Sequence, residues 1–102
     1  MALTREQFLF TKLAEEAAEI AHIALKTQQF GRHERHPELD EDNEQRVCAE
    51  LLDLAAIVRM LQREFGFMYD ENSDESINHI YAKEQKVNKY WQYSLRLGQV
   101  EA

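Results

Sequence analysis

Three glycines and one proline are spread over 102 residues, and they stand far apart: Gly31, Pro37, Gly66 and Gly98. A chain so poor in breakers has little with which to build the tight turns of a sheet, so long uninterrupted helices are the economical solution. Each glycine closes a stretch with a 3.6-residue apolar period. The first stretch runs through Leu9, Leu13, Ala17, Ile20 and Ala24 to about Phe30, the second through Val47, Leu51, Leu54, Val58 and Leu61 to Gly66, and the third through Ile77, Ile80, Tyr81, Val87, Trp91 and Leu95 to Gly98.

The helix starts are legible as well. Thr4 suits an N-cap whose hydroxyl accepts from the Gln7 amide while the Gln7 side chain reaches back, with Leu3 and Phe8 placed as a hydrophobic staple. The second helix is expected to begin between Asp40 and Asn43, and the third to be capped by Asn72 or Ser73. Between the first two, "GRHERHPELDED" has no apolar period and holds the single proline, so it reads as a loop. The expectation is a single all-α domain over residues 1–102. A helix of about 26 residues is roughly 39 Å long. A compact domain of about 100 residues has a radius of gyration near 13 Å. Three such helices poorly cover one another within one chain. The expected architecture is therefore an antiparallel three-helix bundle completed by homo-oligomerisation, as a dimer or a dimer of dimers.

The net charge of −7 argues against a nucleic-acid polymer as partner, since phosphate backbones are held by clustered Lys and Arg. Cys48 is the only cysteine, which leaves no intrachain disulfide and fits a reducing compartment. No run of apolar residues approaches a membrane span, and "MALTREQF" lacks a cationic segment followed by an apolar one. A soluble cytoplasmic protein with no membrane partner is expected.

Within the apolar periods stand acids. On a wheel of about 100° per residue, Glu16 falls inside the apolar arc of the first helix, with Glu19 just beyond its edge and Glu15 further out. In the second helix Glu50 lies between Leu61, Leu54 and Ile57, and Asp53 sits about 60° round. One inward acid is commonly an edge residue or an arginine's partner. Two acid pairs at i, i+3, on helices that should pack together, repel in a low-dielectric site unless protonated or joined by a cation. Oxygen-only donors suit Mg²⁺ or Mn²⁺. Along the third helix His79, Lys83, Lys86 and Tyr90 form a stripe beside the apolar face. It reads either as a solvated face or as a phosphate contact.

"EEAAE" (Glu15, Glu16, Glu19) followed by "ELLD" (Glu50, Asp53) resembles the E-E-x-x-E then E-x-x-D signature of the MazG-like all-α nucleoside triphosphate pyrophosphohydrolases. The string "KEQKVNKYW" is similar to the lysine- and asparagine-bearing segment that follows it there. The chain departs from the family in the long connection between its two acid motifs. The resemblance implies Mg²⁺-dependent cleavage of a (deoxy)nucleoside triphosphate to the monophosphate and pyrophosphate, a nucleotide-pool house-cleaning reaction. It assigns Glu16, Glu19, Glu50 and Asp53 as metal ligands, and Glu15 as the group that holds or deprotonates the attacking water. Lys83, Lys86, Asn88 and Tyr90 become substrate contacts. Two rivals stand beside it. "EIAH" is a Glu-x-x-His of the kind that ferritin-like di-iron bundles use, although His22 lies about 120° from Glu16 on the wheel. A non-catalytic helical interaction module would instead pair the inward acids with third-helix lysines. "HERH" is one residue short of the H-E-x-x-H zinc motif and sits in a loop. Cys48 is expected to serve packing.

Overall fold

The computed structural model describes residues 2–102. Among them every regular element is a helix: α1 (Arg5–Phe30), α2 (Asn43–Phe65) and α3 (Asp74–Arg96). The chain divides into two compact units, the first ending at Met68 and the second running from Tyr69 to Ala102. Helices α1 and α2 end directly before the expected glycines, Gly31 and Gly66, while α3 ends at Arg96 with Leu97 as its cap and Gly98 one residue further on.

Helix α1 starts as its sequence requires. The Thr4 hydroxyl accepts from the Gln7 amide at 3.1 Å, and the Gln7 side chain accepts from the Thr4 amide at 3.0 Å. Asp42 and Gln45 repeat the same reciprocal pair at the start of α2, at 2.9 and 2.8 Å. Two of the amides that a helix start leaves unpaired are thus satisfied each time. Leu3 and Phe8, expected as a staple, both stay largely exposed, and Phe8 instead lies 5.3 Å beneath the Lys12 ammonium. At the end of α2, Gly66 takes the left-handed conformation (φ 65°, ψ 30°), and the Phe67 amide reaches back to the Leu61 carbonyl. A side chain there would meet its own carbonyl, so glycine suits the stop.

The first unit is an antiparallel helical hairpin of α1 and α2. At its open end the Arg5 guanidinium grips Glu64 with two bonds of 3.0 and 3.2 Å, and Phe10 meets Phe67 edge-on with ring centroids 5.9 Å apart. At the closed end the tie is a buried amide. Asn43 donates from its side chain to the Gly31 carbonyl at 2.8 Å and to the Glu34 carboxylate at 2.9 Å. Its own amide donates to the Glu34 carbonyl, and the Glu44 amide to that of Arg32. The exposed carbonyls at the end of α1 are therefore taken up by the start of α2. Loop histidines join the same structure: His33 Nδ1 lies 3.3 Å from Asp42, and His36 Nδ1 accepts from the Glu38 amide. The segment from Arg32 to Pro37 thus shapes the helix connection.

Among the described residues Leu9, Ile23 and Leu61 are the buried apolar side chains, and Asn43 is the buried polar one. That is a narrow seam for two helices of 26 and 23 residues. Leu51, Leu52 and Leu25 stay exposed, and Cys48, expected to pack, is exposed too. The second unit carries α3, capped by the Ser73 hydroxyl, which accepts from the Ser76 amide at 3.1 Å. No α3 residue is buried.

Candidate carboxylate site

The register of the hairpin is fixed at both ends, by Arg5 on Glu64 and by Asn43 on Gly31. Between those ties, the acids of α1 and α2 face one another. One carboxylate oxygen each of Glu16, Glu50 and Asp53 lies within 4.8 Å of the others. Glu16 and Glu50 are part-buried and Asp53 is exposed, so the group opens to solvent on the Asp53 side. The wheel's placement of Glu16 and Glu50 on the inward faces matches this burial. Each of those two keeps one oxygen that is out of contact with water and has no hydrogen-bond partner.

Such oxygens are costly as anions, and the local electrostatics agree. Removal from water raises the Glu16 carboxyl above its ordinary range, and the charges of Glu19 and Asp53 push it further. For Glu50 the foremost cause is a hydrogen-bonding contact with the Glu19 side chain, followed by burial and by the charges of Glu19, Asp53 and Glu16. Glu19 is exposed, yet it touches both inward acids electrostatically. Glu15 is exposed on the outer side, where its carboxylate pairs with Lys12 at 3.0 Å. Three of the five expected acids, Glu16, Glu50 and Asp53, thus form the close group; Glu19 stands outside it beside Glu16 and Glu50, and Glu15 at its margin.

A half-open cleft adjoins the cluster. It is lined by Glu19, His22, Ile23, Lys26, Arg46 and Glu50. His22 is nearer this site than its angle on the wheel suggests, because a cleft between helices gathers residues from the flanks of both. It does not enter the close carboxylate group, which among the described residues contains no histidine. Lys26 and Arg46 were not singled out by sequence. Lys26 stands about two turns after Glu19 and Arg46 about one turn before Glu50, both toward the connecting loop, and only the antiparallel pairing brings them to one cleft. Lys83, Lys86, Asn88 and Tyr90 lie on α3, in the second unit, where all four are exposed.

What the arrangement can do follows from its donors. Three carboxylate oxygens within 4.8 Å of one another could serve a divalent cation as hard ligands, and acid groups of this kind also occur at protein surfaces without one. No helix is long and apolar enough to cross a membrane among the described residues. Compared with protein-family models, curated proteins and solved structures, the chain matches none of them.

Proposed function

We propose that the protein is a Mg²⁺-dependent nucleoside triphosphate pyrophosphohydrolase of the MazG-like kind, with Mn²⁺ able to substitute. The observation that carries the reading is that Glu16 and Glu50, each with one buried oxygen that has no hydrogen-bond partner, gather with Asp53 in one close carboxylate group. A structural acid pair would be expected to acquire an arginine, a lysine or a water-exposed position, whereas these two have no such partner. Glu16, Glu50 and Asp53 would hold the ion, with Glu19 beside them. When bound, the ion would supply charge neutralisation for the polyphosphate and acidify a coordinated water.

The chain's own side chains divide the remaining work. Glu16 and Glu50, part-buried, fix the position of the site, while exposed Asp53 leaves it open to an incoming ligand. Glu15 is suited to accept the proton of the attacking water. Its ion pair with Lys12 is solvent-exposed and therefore weak, so the carboxylate is free to exchange partners. The assignment of Lys83, Lys86, Asn88 and Tyr90 to phosphate, sugar or base belongs to the family likeness; the reading itself rests on the hairpin.

The same reading includes a homo-oligomer. Leu51 and Leu52 of α2 are exposed, at 48% and 70%, and α3 carries Ile77, Ile80, Val87 and Trp91 without burying any of them. A second copy completing a larger helical bundle would remove this surface from water, at about 25 cal/mol per Å² of apolar area. The absence of a histidine from the close carboxylate group disfavours the di-iron alternative.

The deciding experiment is pyrophosphate release from a panel of ordinary and modified nucleoside triphosphates with and without Mg²⁺, accompanied by sedimentation at several protein concentrations. Metal-dependent release of pyrophosphate by an oligomer is the expected result. No release from any triphosphate, together with no detectable Mn²⁺ binding, would overturn the assignment.

A further inference from the structure

We infer that Lys26 and Arg46 form an anion subsite at the loop-ward side of the carboxylate cleft, built to hold the phosphate groups of a phosphoanhydride. The inference rests on the proposed metal-dependent function and adds a second half to that site. Both residues line the cleft that Glu19 and Glu50 also line, one contributed by each helix of the hairpin. Both are part-buried.

Arg5, Lys12 and Arg32 of the hairpin and its loop are taken up by Glu64, Glu15 and Glu44, while Arg35, Arg59 and Arg63 form no ion pair among the described residues but do not line the cleft. Lys26 and Arg46 form no ion pair among the described residues, although acids line the same cleft. In a chain with a net charge of −7, two cations against two carboxylates make the lining of this cleft close to neutral, with ammonium and guanidinium donors that no carboxylate of the described residues takes up.

The chemistry of a ligand for those donors follows from the juxtaposition. Carboxylates alone repel a polyphosphate, and a cation among them neutralises only the oxygens it touches. A ligand with several anionic oxygens spread over two phosphorus atoms needs positive donors displaced from the metal. Arg46 supplies a planar fork suited to a phosphate edge, and Lys26 a mobile point charge. His22, exposed on the same cleft, offers a further donor at its rim. A simple divalent cation would have no use for Lys26 and Arg46, so their presence beside the acids points to an anion that arrives with the metal.

Calorimetric titration of the full-length protein with inorganic pyrophosphate, with and without Mg²⁺, tests this, alongside titration with Mn²⁺ alone. Lys26→Gln and Arg46→Gln should each weaken pyrophosphate binding by about tenfold while leaving Mn²⁺ affinity within about threefold. The charge-keeping variant Lys26→Arg should retain binding within about threefold, whereas Arg46→Lys, which keeps the charge and loses the fork, should bind more weakly than wild type and more tightly than Arg46→Gln. Circular dichroism melts check each variant's fold. If wild-type protein binds no Mn²⁺ but binds metal-free pyrophosphate through these two residues, the metal reading fails and the subsite stands. Pyrophosphate affinity unchanged in the Lys26→Gln/Arg46→Gln double variant would overturn the subsite. So would a parallel loss of Mn²⁺ and pyrophosphate, or a wild-type protein that binds no pyrophosphate under either condition.

Discussion

Replacing Asn43 with alanine should loosen the closed end of the hairpin and, with it, the register that opposes the acids. Asn43 is 2% exposed and its side-chain amide makes two bonds, to the Gly31 carbonyl at 2.8 Å and to Glu34 at 2.9 Å. A neutral bond contributes about 0.5–1.5 kcal/mol net and one to a charged group about 1.5–3 kcal/mol. Glu34 lies at the surface and regains water when its donor is removed, which takes the charged bond toward the low end of its range. Alanine's better helix propensity returns about 0.5 kcal/mol. The net expected loss is about 1.5–2.5 kcal/mol, equivalent to at least about 6 °C in melting temperature for a chain of this size. The assay is urea and thermal unfolding followed by helix ellipticity, at one fixed protein concentration so that assembly does not shift the midpoint. Asn43→Asp is the companion variant: it keeps the shape but replaces the donor by an acceptor facing Glu34, and should be no more stable than the alanine variant. A loss below about 0.5 kcal/mol in Asn43→Ala would refute the view that this buried amide ties the hairpin.

Other expectations concern the acids. Glu50→Gln should abolish Mg²⁺-dependent triphosphate turnover while leaving the metal-free protein at least as thermally stable as wild type, because it removes a crowded charge and a ligand together; retained turnover would count against the metal assignment. Glu16 and Glu50 titrate above their ordinary value of 4.5 when folded, so the folded metal-free chain binds more protons than the unfolded one. Their contribution should therefore fall as pH rises through the folded values and recover on acidification toward 4.5, and a Glu16→Gln/Glu50→Gln variant should flatten that part of the stability profile. Asp42 and Glu64, lowered by the Gln45 amide and by Arg5 respectively, act in the opposite sense, their stabilisation being lost as pH falls through their folded values. His22→Ala should change turnover by less than about tenfold, or roughly 1.4 kcal/mol of barrier, and a larger loss accompanied by loss of bound iron would revive the di-iron reading.

Periodicity and capping chemistry carried the helices. The reciprocal pair at Thr4 and Gln7, the N-cap at Ser73 and the stop at Gly66 are local arrangements within a few residues, which is why sequence alone places them. The inward tilt of Glu16 and Glu50 was legible for the same reason, since a wheel describes one helix at a time. It fails for properties that two helices create together. Lys26 and Arg46 looked like ordinary surface cations until antiparallel pairing brought them to one cleft, whereas His22, read as lying on the polar side, is exposed and outside the close carboxylate group. Asn43 gave no signal either: as one of several polar residues at the start of α2, it acquires its meaning only from the Gly31 carbonyl across the loop. Cys48 was misread as packing because the narrow seam of a two-helix hairpin leaves much of α2 in water.

The hairpin also sets when, along the chain, the acids can meet. Glu16 and Glu50 come from neighbouring helices joined by one connection, and that connection is tied by bonds among its own residues, from Arg32 to Glu44. Closing a loop of about ten residues takes roughly 10–100 ns, and contacts between sequence neighbours are the ones that fold fastest. During synthesis every acid of the cluster emerges before the first residue of α3, so its carboxylates can be opposed across α1 and α2 while the remainder of the polypeptide is still being made.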